Sequence, residues 1–177
     1  DSPYKTSEEL VAAAKEKGNL KASTNGNKAS NHTAAQLLAK SAGFKYKAIP
    51  YGGTADQLLA LRQGEVDFTC AKVADVAKLV KGDKPELRVL AVFNTKRDPE
   101  LPNVPTLGEK GLYPEWYGSA RALVAPKGTK PEVIQYYVEA FKKTMQDPAV
   151  IEAHKKAGMA LDFKDNKELG DLIKAQD

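Results

Sequence analysis

Short apolar runs alternate with amphipathic stretches along the first half of the chain, with glycines between them. Glu8 to Lys17 reads as a helix capped by Thr6 or Ser7 and stopped by Gly18. Its acids come early and its lysines late, which suits the helix dipole. Leu20-Lys21-Ala22-Ser23 reads as a strand. Thr33 to Lys40 reads as a helix with Ala34, Leu37 and Leu38 on one face, ending near Ala42-Gly43. Phe44 to Pro50 alternates as a strand does, and Asp56 to Gln63 predicts a short helix stopped by Gly64. Val66 to Cys70 is a third strand and Val73 to Val80 a further helix. Leu87 to Phe93, apolar almost throughout, reads as a buried parallel strand.

The second half changes character. Asp98 to Pro105 is proline-dense and irregular, and Thr106 caps a short helix ending at Lys110-Gly111. Arg121 to Ala125 reads as a strand stopped by Pro126. Pro131 sits where a first-turn proline belongs, opening an amphipathic helix to about Met145. Asp147-Pro148 restarts a helix to about Ala157, stopped by Gly158. Leu161 to Phe163 is a short strand candidate, and Asn166 to Ala175 a last helix. Three strand-then-helix units followed by a buried strand predict an α/β fold built on an open sheet.

In open α/β sheets, ligands lie outside the carboxyl ends of the strands. The first such corner here is Thr24-Asn25-Gly26-Asn27-Lys28-Ala29-Ser30-Asn31-His32, small and polar, with Ser30 the expected N-cap of the helix that follows. A strand–loop–helix corner aims unpaired N–H groups and the positive end of a helix dipole at one spot, which suits an anion. No Asp or Glu occupies the helix's first turn. The second corner is Tyr51-Gly52-Gly53-Thr54, whose glycines allow close backbone approach or unusual φ values and whose Thr54 is a candidate cap. Lys72 follows the third strand at the same level. Each feature also has a plain structural reading: a solvated turn, a histidine bonded to its own turn, a half-buried Tyr51, a solvated lysine.

Composition narrows the field. The 177 residues suit one ordinary domain or two small lobes, and 42% hydrophobic with 28% charged residues suits a soluble globular protein. One cysteine, Cys70, excludes a disulfide framework and a cysteine zinc cluster; it reads as an inert core thiol. Two histidines, His32 and His154, make no metal motif. No apolar run approaches the ~20 residues needed to span a bilayer. The net charge of +4 raises nucleic acid as a partner, but only four basic residues are Arg and no nucleic-acid motif occurs. No Asp or Glu lies between Lys17 and Ala55, a span holding six lysines, so a local positive field surrounds the first corner. Nucleophile elbows, phosphate loops and zinc-protease motifs are missing, so no enzyme and no cofactor is expected. Trp116 and Tyr117 read as packing anchors. A chain that opens on Asp1 reads as a processed product or an excised fragment.

Several stretches, in order, resemble the substrate-binding proteins of bacterial tripartite tricarboxylate transporters, the Bug-type periplasmic receptors. They are Ser2 to Thr6, Thr24 to His32, Ile49 to Ala55, Gly64 to Asp67, Leu90 to Val92, Leu101 to Glu109 and Ala125 to Thr129. The resemblance implies two α/β lobes joined by crossing strands, with a small organic anion gripped by turn amides and small hydroxyls. It implies a periplasmic location and hand-over to a membrane permease. On this pattern residues 1–117 form the type II-like second lobe, 118–125 a crossover strand, and 126–177 helices that in the family pack on the first lobe. The expected ligand residues are Thr24, Asn25, Gly26, Asn27, Lys28, Ser30, Asn31, His32, Tyr51, Gly52, Gly53, Thr54, Ala71 and Lys72; Ala71 and Lys72 match a position that varies with ligand. Two departures stand out. Nothing corresponds to the family's opening segment, so a second copy or a separate first-lobe chain is an expected partner. Lys28 stands where small residues are usual.

Overall fold

The computed structural model describes residues 2–157, 159 and 161–176. The chain divides into two compact units, Asp1–Ser119 and Ala120–Asp177.

The first unit opens with α1 (Ser7–Lys17). Thr6 caps it: its side chain accepts from the Glu9 N–H at 3.2 Å while the Glu9 carboxylate accepts from the Thr6 N–H, a reciprocal capping box. Three strand-and-helix pairs follow: β1 (Lys21–Thr24) with α2 (Ser30–Ala42), β2 (Lys47–Pro50) with α3 (Thr54–Arg62), and β3 (Phe68–Thr69) with the single turn α4 (Val73–Val76). Gly18 and Gly43 end α1 and α2 at φ 65° and 71°, a left-handed conformation that costs glycine nothing.

The strands form a parallel sheet in the order β2-β1-β3. Lys21 pairs with Lys47 and Thr24 with Pro50, while Ser23 pairs with Thr69. The chain moves from β1 to β2 in one direction and from β2 to β3 in the other. Right-handed crossovers therefore put α2 and α3 on opposite faces. Side-chain alternation agrees. Ala22 and Phe68 join Leu10, Val11, Ala14, Ala35, Leu38 and Leu107 in the core, whereas Ser23 and Thr69 bond to Gln57 of α3. Phe44, Tyr46 and Phe68 form an edge-on aromatic cluster in that core, with centroids 5.6–6.4 Å apart.

Several expectations from the sequence need correction. Leu87 to Phe93 is not a strand of the sheet; it makes one isolated parallel bridge, Val92 to Thr106, while Leu90, Ala91 and Phe93 pack against the core. An apolar run reports burial, and here packing satisfies it with no ladder hydrogen bonds among the described residues beyond the two of that bridge, Val92 N–H to the Pro105 carbonyl and Leu107 N–H to the Val92 carbonyl. The helix expected to Val80 stops at Val76, and Thr106 to Gly111 forms turns in which the Thr106 hydroxyl accepts from the Glu109 N–H. Residues 161–163 are not in a strand, and residues 118–125 make no strand pairing among the described residues.

The second unit holds α5 (Pro131–Met145), α6 (Pro148–Lys156) and α7 (Asn166–Gln176). Pro131 opens α5 as expected, and the Asp147 carboxylate caps α6 by accepting from the Ala149 and Val150 N–H groups. Gly158, expected to stop α6, lies outside the described residues. Among the described residues α5 buries none of its side chains: Tyr136 is 68% exposed, and Val133, Tyr137 and Phe141 are also open.

Candidate functional site

All three strands run parallel, so the segments after β1, β2 and β3 emerge along one edge of the sheet. The Tyr51 N–H donates to the Thr24 carbonyl at 2.8 Å, tying the first two corners together. Between β1 and β3 the chain's direction of travel across the sheet reverses. Such a switch point opens a crevice between the loops leaving the two strands. The structure thus brings Thr24 to His32, Tyr51 to Thr54, and Ala71 with Lys72 to one edge.

The first corner is held by its own side chains. Gly26 has φ 115° and Lys28 φ 62°; among the described residues Lys28 is the one non-glycine residue with positive φ. Its N–H donates to His32 Nδ1 at 3.0 Å. His32 therefore stabilises the turn, and in the uncharged ring the proton sits on Nε2. α2 begins one residue earlier than expected, with Ala29 as N-cap and Ser30 as the first helical residue. Alanine offers no side-chain acceptor, and the first turn carries no acid, so the first-turn amides and the dipole face outward uncompensated. Asn27 and Lys28 are exposed; Asn25, Gly26, Ser30 and His32 are half-buried. Thr24 is fully buried, and among the described residues neither its Oγ1 nor Asn25 Oδ1 has a hydrogen-bond partner.

The second corner differs from its expected form. Gly53, not Thr54, is the N-cap of α3, at φ −175°. Neither Gly52 nor Gly53 adopts positive φ, and a Cβ on Gly52 would meet nothing nearer than Asp56 Oδ2 at 3.5 Å. The glycines are thus not required by backbone strain. Asp56 adds a negative charge in the first turn of α3. The Tyr51 hydroxyl donates to Glu65 Oε2 at 3.1 Å; desolvation first, then that carboxylate, holds its pKa above the ordinary value. Lys72 is the exposed N-cap of α4, and among the described residues neither it nor Lys28 joins an ion pair. Burial pushes the Cys70 thiol up to about 12, which removes it as a nucleophile near neutral pH.

Sequence reasoning passed over Gln57. It is fully buried, at the level of the loops, and bonded to four residues of three other elements or their flanks. The available signal was a polar residue beside Leu58 and one turn before Ala60, on the buried side of α3. A second concavity, a cleft of about 400 Å³ between Lys15, Gly18, Ala39, Lys40 and Phe44, lies at the C-terminal ends of α1 and α2. α2 is 13 residues long, so this cleft is about 20 Å from its N-terminus, and helix carbonyls there disfavour an anion.

A parallel α/β edge of this kind, with amide-rich turns at a switch point, is common to open α/β folds that bind ligands, the periplasmic-binding-protein-like solute receptors among them. A solute-binding protein from Polaromonas, solved without ligand, superposes with a TM-score of 0.87 at 29% identity, covering 99% of this chain and 59% of that one. An R. palustris protein solved with adipate has the same fold, with a TM-score of 0.79 at 22% identity over 98% of this chain and 58% of that one. The model of the tripartite tricarboxylate transporter family receptor matches residues 1–177, and the chain belongs to that family. A Cupriavidus necator relative, "UPF0065 protein in gbd 5'region", is 38% identical over 149 residues, 84% of this chain and 44% of the relative. The chain spans about half the length of the curated relatives it matches. Among the described residues no helix is long and apolar enough to cross a membrane.

Proposed function

We propose that this chain carries one of the two ligand-gripping faces of a periplasmic receptor for a small organic carboxylate, which passes its ligand to a membrane permease. The observation that carries the reading is the convergence of three amide-rich turns at one switch point, with Lys28 and Lys72 beside them and Thr24 Oγ1 unmatched beneath. Residues 1–117 act as the family's second lobe, 118–125 as the segment that crosses to the first, and 126–177 as helices that pack there. The amides of Ser30, Asn31 and His32 and the Thr54 hydroxyl grip the carboxylate. Lys28 and Lys72 supply long-range attraction. Asp56 opposes it and favours ligands whose second charge lies toward Lys72.

One face alone binds weakly, because half the contacts are missing; we expect dissociation constants near or above 1 mM, about −4 kcal/mol. The test is an amide-resolved NMR titration of the chain with succinate, malate and adipate. Shifts should gather at Gly26 to Thr33, Gly52 to Thr54 and Ala71 to Val73. Shifts confined to the cleft around Lys15 and Lys40, or micromolar binding by a proven monomer, contradict the reading.

The exposed apolar face of α5 favours a second reading, a self-associating sensor or interaction module. Light scattering separates the two: a stable dimer whose state ignores dicarboxylates supports the module.

A further inference from the structure

Gln57 is the largest fully buried side chain of the described chain. A buried amide is tolerated when its donors and acceptor are matched, and each of these is. Its Oε1 accepts from Asn31 Nδ2 at 2.9 Å. Its Nε2 donates to the Cys70 carbonyl at 2.7 Å and to Thr69 Oγ1. The Thr69 hydroxyl in turn donates to the Ser23 carbonyl at 2.9 Å. The Gln57 main chain takes part as well: its N–H donates to the Gly53 carbonyl at 3.1 Å, and its C=O accepts from Ser23 Oγ at 3.0 Å. Turning the amide over would set Oε1 against the Cys70 carbonyl, so the network permits one orientation.

Those partners are informative. Asn31 is in the first turn of α2, Gly53 caps α3, and Cys70 leads directly into Ala71 and Lys72. The Gln57 side chain therefore joins the first and third of the segments that converge at the switch point, and its own main chain anchors it in the helix that Gly53 of the second segment caps. We infer that Gln57 is the positioning residue of this edge: it sets the relative placement of the three turns and so the spacing of the donors they present. Its consequence for ligand rests on the carboxylate-receptor reading above. A leucine fills a similar volume but leaves Asn31 Nδ2 and the Cys70 carbonyl unmatched, and leaves Thr69 Oγ1 only its bond to the Ser23 carbonyl, which favours rearranged turns.

The test uses the full chain, with Gln57→Leu, Gln57→Glu and Asn31→Ala, and with Leu10→Ala as a core control remote from the network. In amide-resolved NMR spectra, Gln57→Leu should move resonances in all three segments together. Asn31→Ala cuts one arm and should move Ala71 and Lys72 as well as its own turn. Gln57→Glu should lose the native pattern at neutral pH and regain it in acid, because the protonated carboxyl of that variant again offers a donor to the Cys70 carbonyl; burial raises the pH at which this happens. Leu10→Ala should lower stability without the three-segment pattern. With adipate as probe, Gln57→Leu should weaken binding at least tenfold at a temperature where circular dichroism shows it folded. If the parent chain does not respond to adipate, the receptor reading fails while the NMR pattern still decides the role of Gln57. Should Gln57→Leu not fold, Gln57→Glu in acid and Asn31→Ala decide it. Changes confined to α3, no acid recovery, or the same pattern in Leu10→Ala overturns the proposal.

Discussion

Lys28 holds a left-handed backbone at φ 62° while its side chain is exposed. For an L-residue that conformation costs roughly 1–2 kcal/mol, from the approach of Cβ to the following carbonyl oxygen. Glycine removes this cost, and gives back roughly 0.5–1 kcal/mol through the greater freedom of the unfolded chain. The hydrogen bond to His32 Nδ1 comes from the main-chain N–H of residue 28 and survives the exchange. Lys28→Gly should therefore stabilise the first unit by about 0.5–1 kcal/mol. Trp116 is the sole tryptophan and lies in that unit, so its fluorescence during urea unfolding reports there. With a urea slope of roughly 1.5 kcal/mol per molar, the midpoint should rise by about 0.5 M. Lys28→Ala is the control: it removes the same charge but keeps Cβ and the strain, and its midpoint should stay near that of the parent. Both variants should bind dicarboxylates less well at low salt and to the same extent, since both lose the charge. If Lys28→Gly is no more stable than Lys28→Ala, residue 28 stores no strain and the argument fails.

Two further outcomes follow from the structure. His32→Ala removes the acceptor of the Lys28 N–H and should cost about 1 kcal/mol, with faster hydrogen exchange at that amide; unchanged exchange would show that the turn holds without the ring. Burial raises the Cys70 thiol from 9.0 to about 12, and burial with the neighbouring Cys70 raises the Tyr46 phenol from 10.0 to about 12. The unfolded chain gives up both protons first, so their stabilisation is complete below about pH 9 and fades as pH rises toward 12. The urea midpoint should fall across that window, and thiol reagents at pH 8 should label Cys70 only after unfolding. A flat midpoint from pH 9 to 12 would contradict this.

Local signals were legible wherever a residue type can do only one thing. Thr6, offered with Ser7 as the alternative, and Gly18, Gly43 and Pro131 marked helix ends that the structure reproduces, because capping and left-handed turns are short-range chemistry. Ser30 and Thr54 marked their corners but not the caps. Both hydroxyls lie inside their helices, with Ala29 and Gly53 in the capping positions, where an uncapped N-terminus leaves amides open. Leu87 to Phe93 misled because a run of apolar side chains specifies burial and says nothing of its hydrogen-bond partner.

The order of small, polar and apolar residues was by itself enough to specify repeated strand–turn–helix units, an acid-free basic stretch and the two polar corners. These depend on neighbours a few residues apart. Tertiary structure alone decided which strands pair, which loops share an edge, and that Gln57 sits beneath all three. Ser23, Asn31, Gln57 and Thr69 are up to 46 positions apart, and each is ordinary in its own stretch. A buried amide becomes meaningful only when the fold removes water from around it and leaves other protein groups to satisfy it.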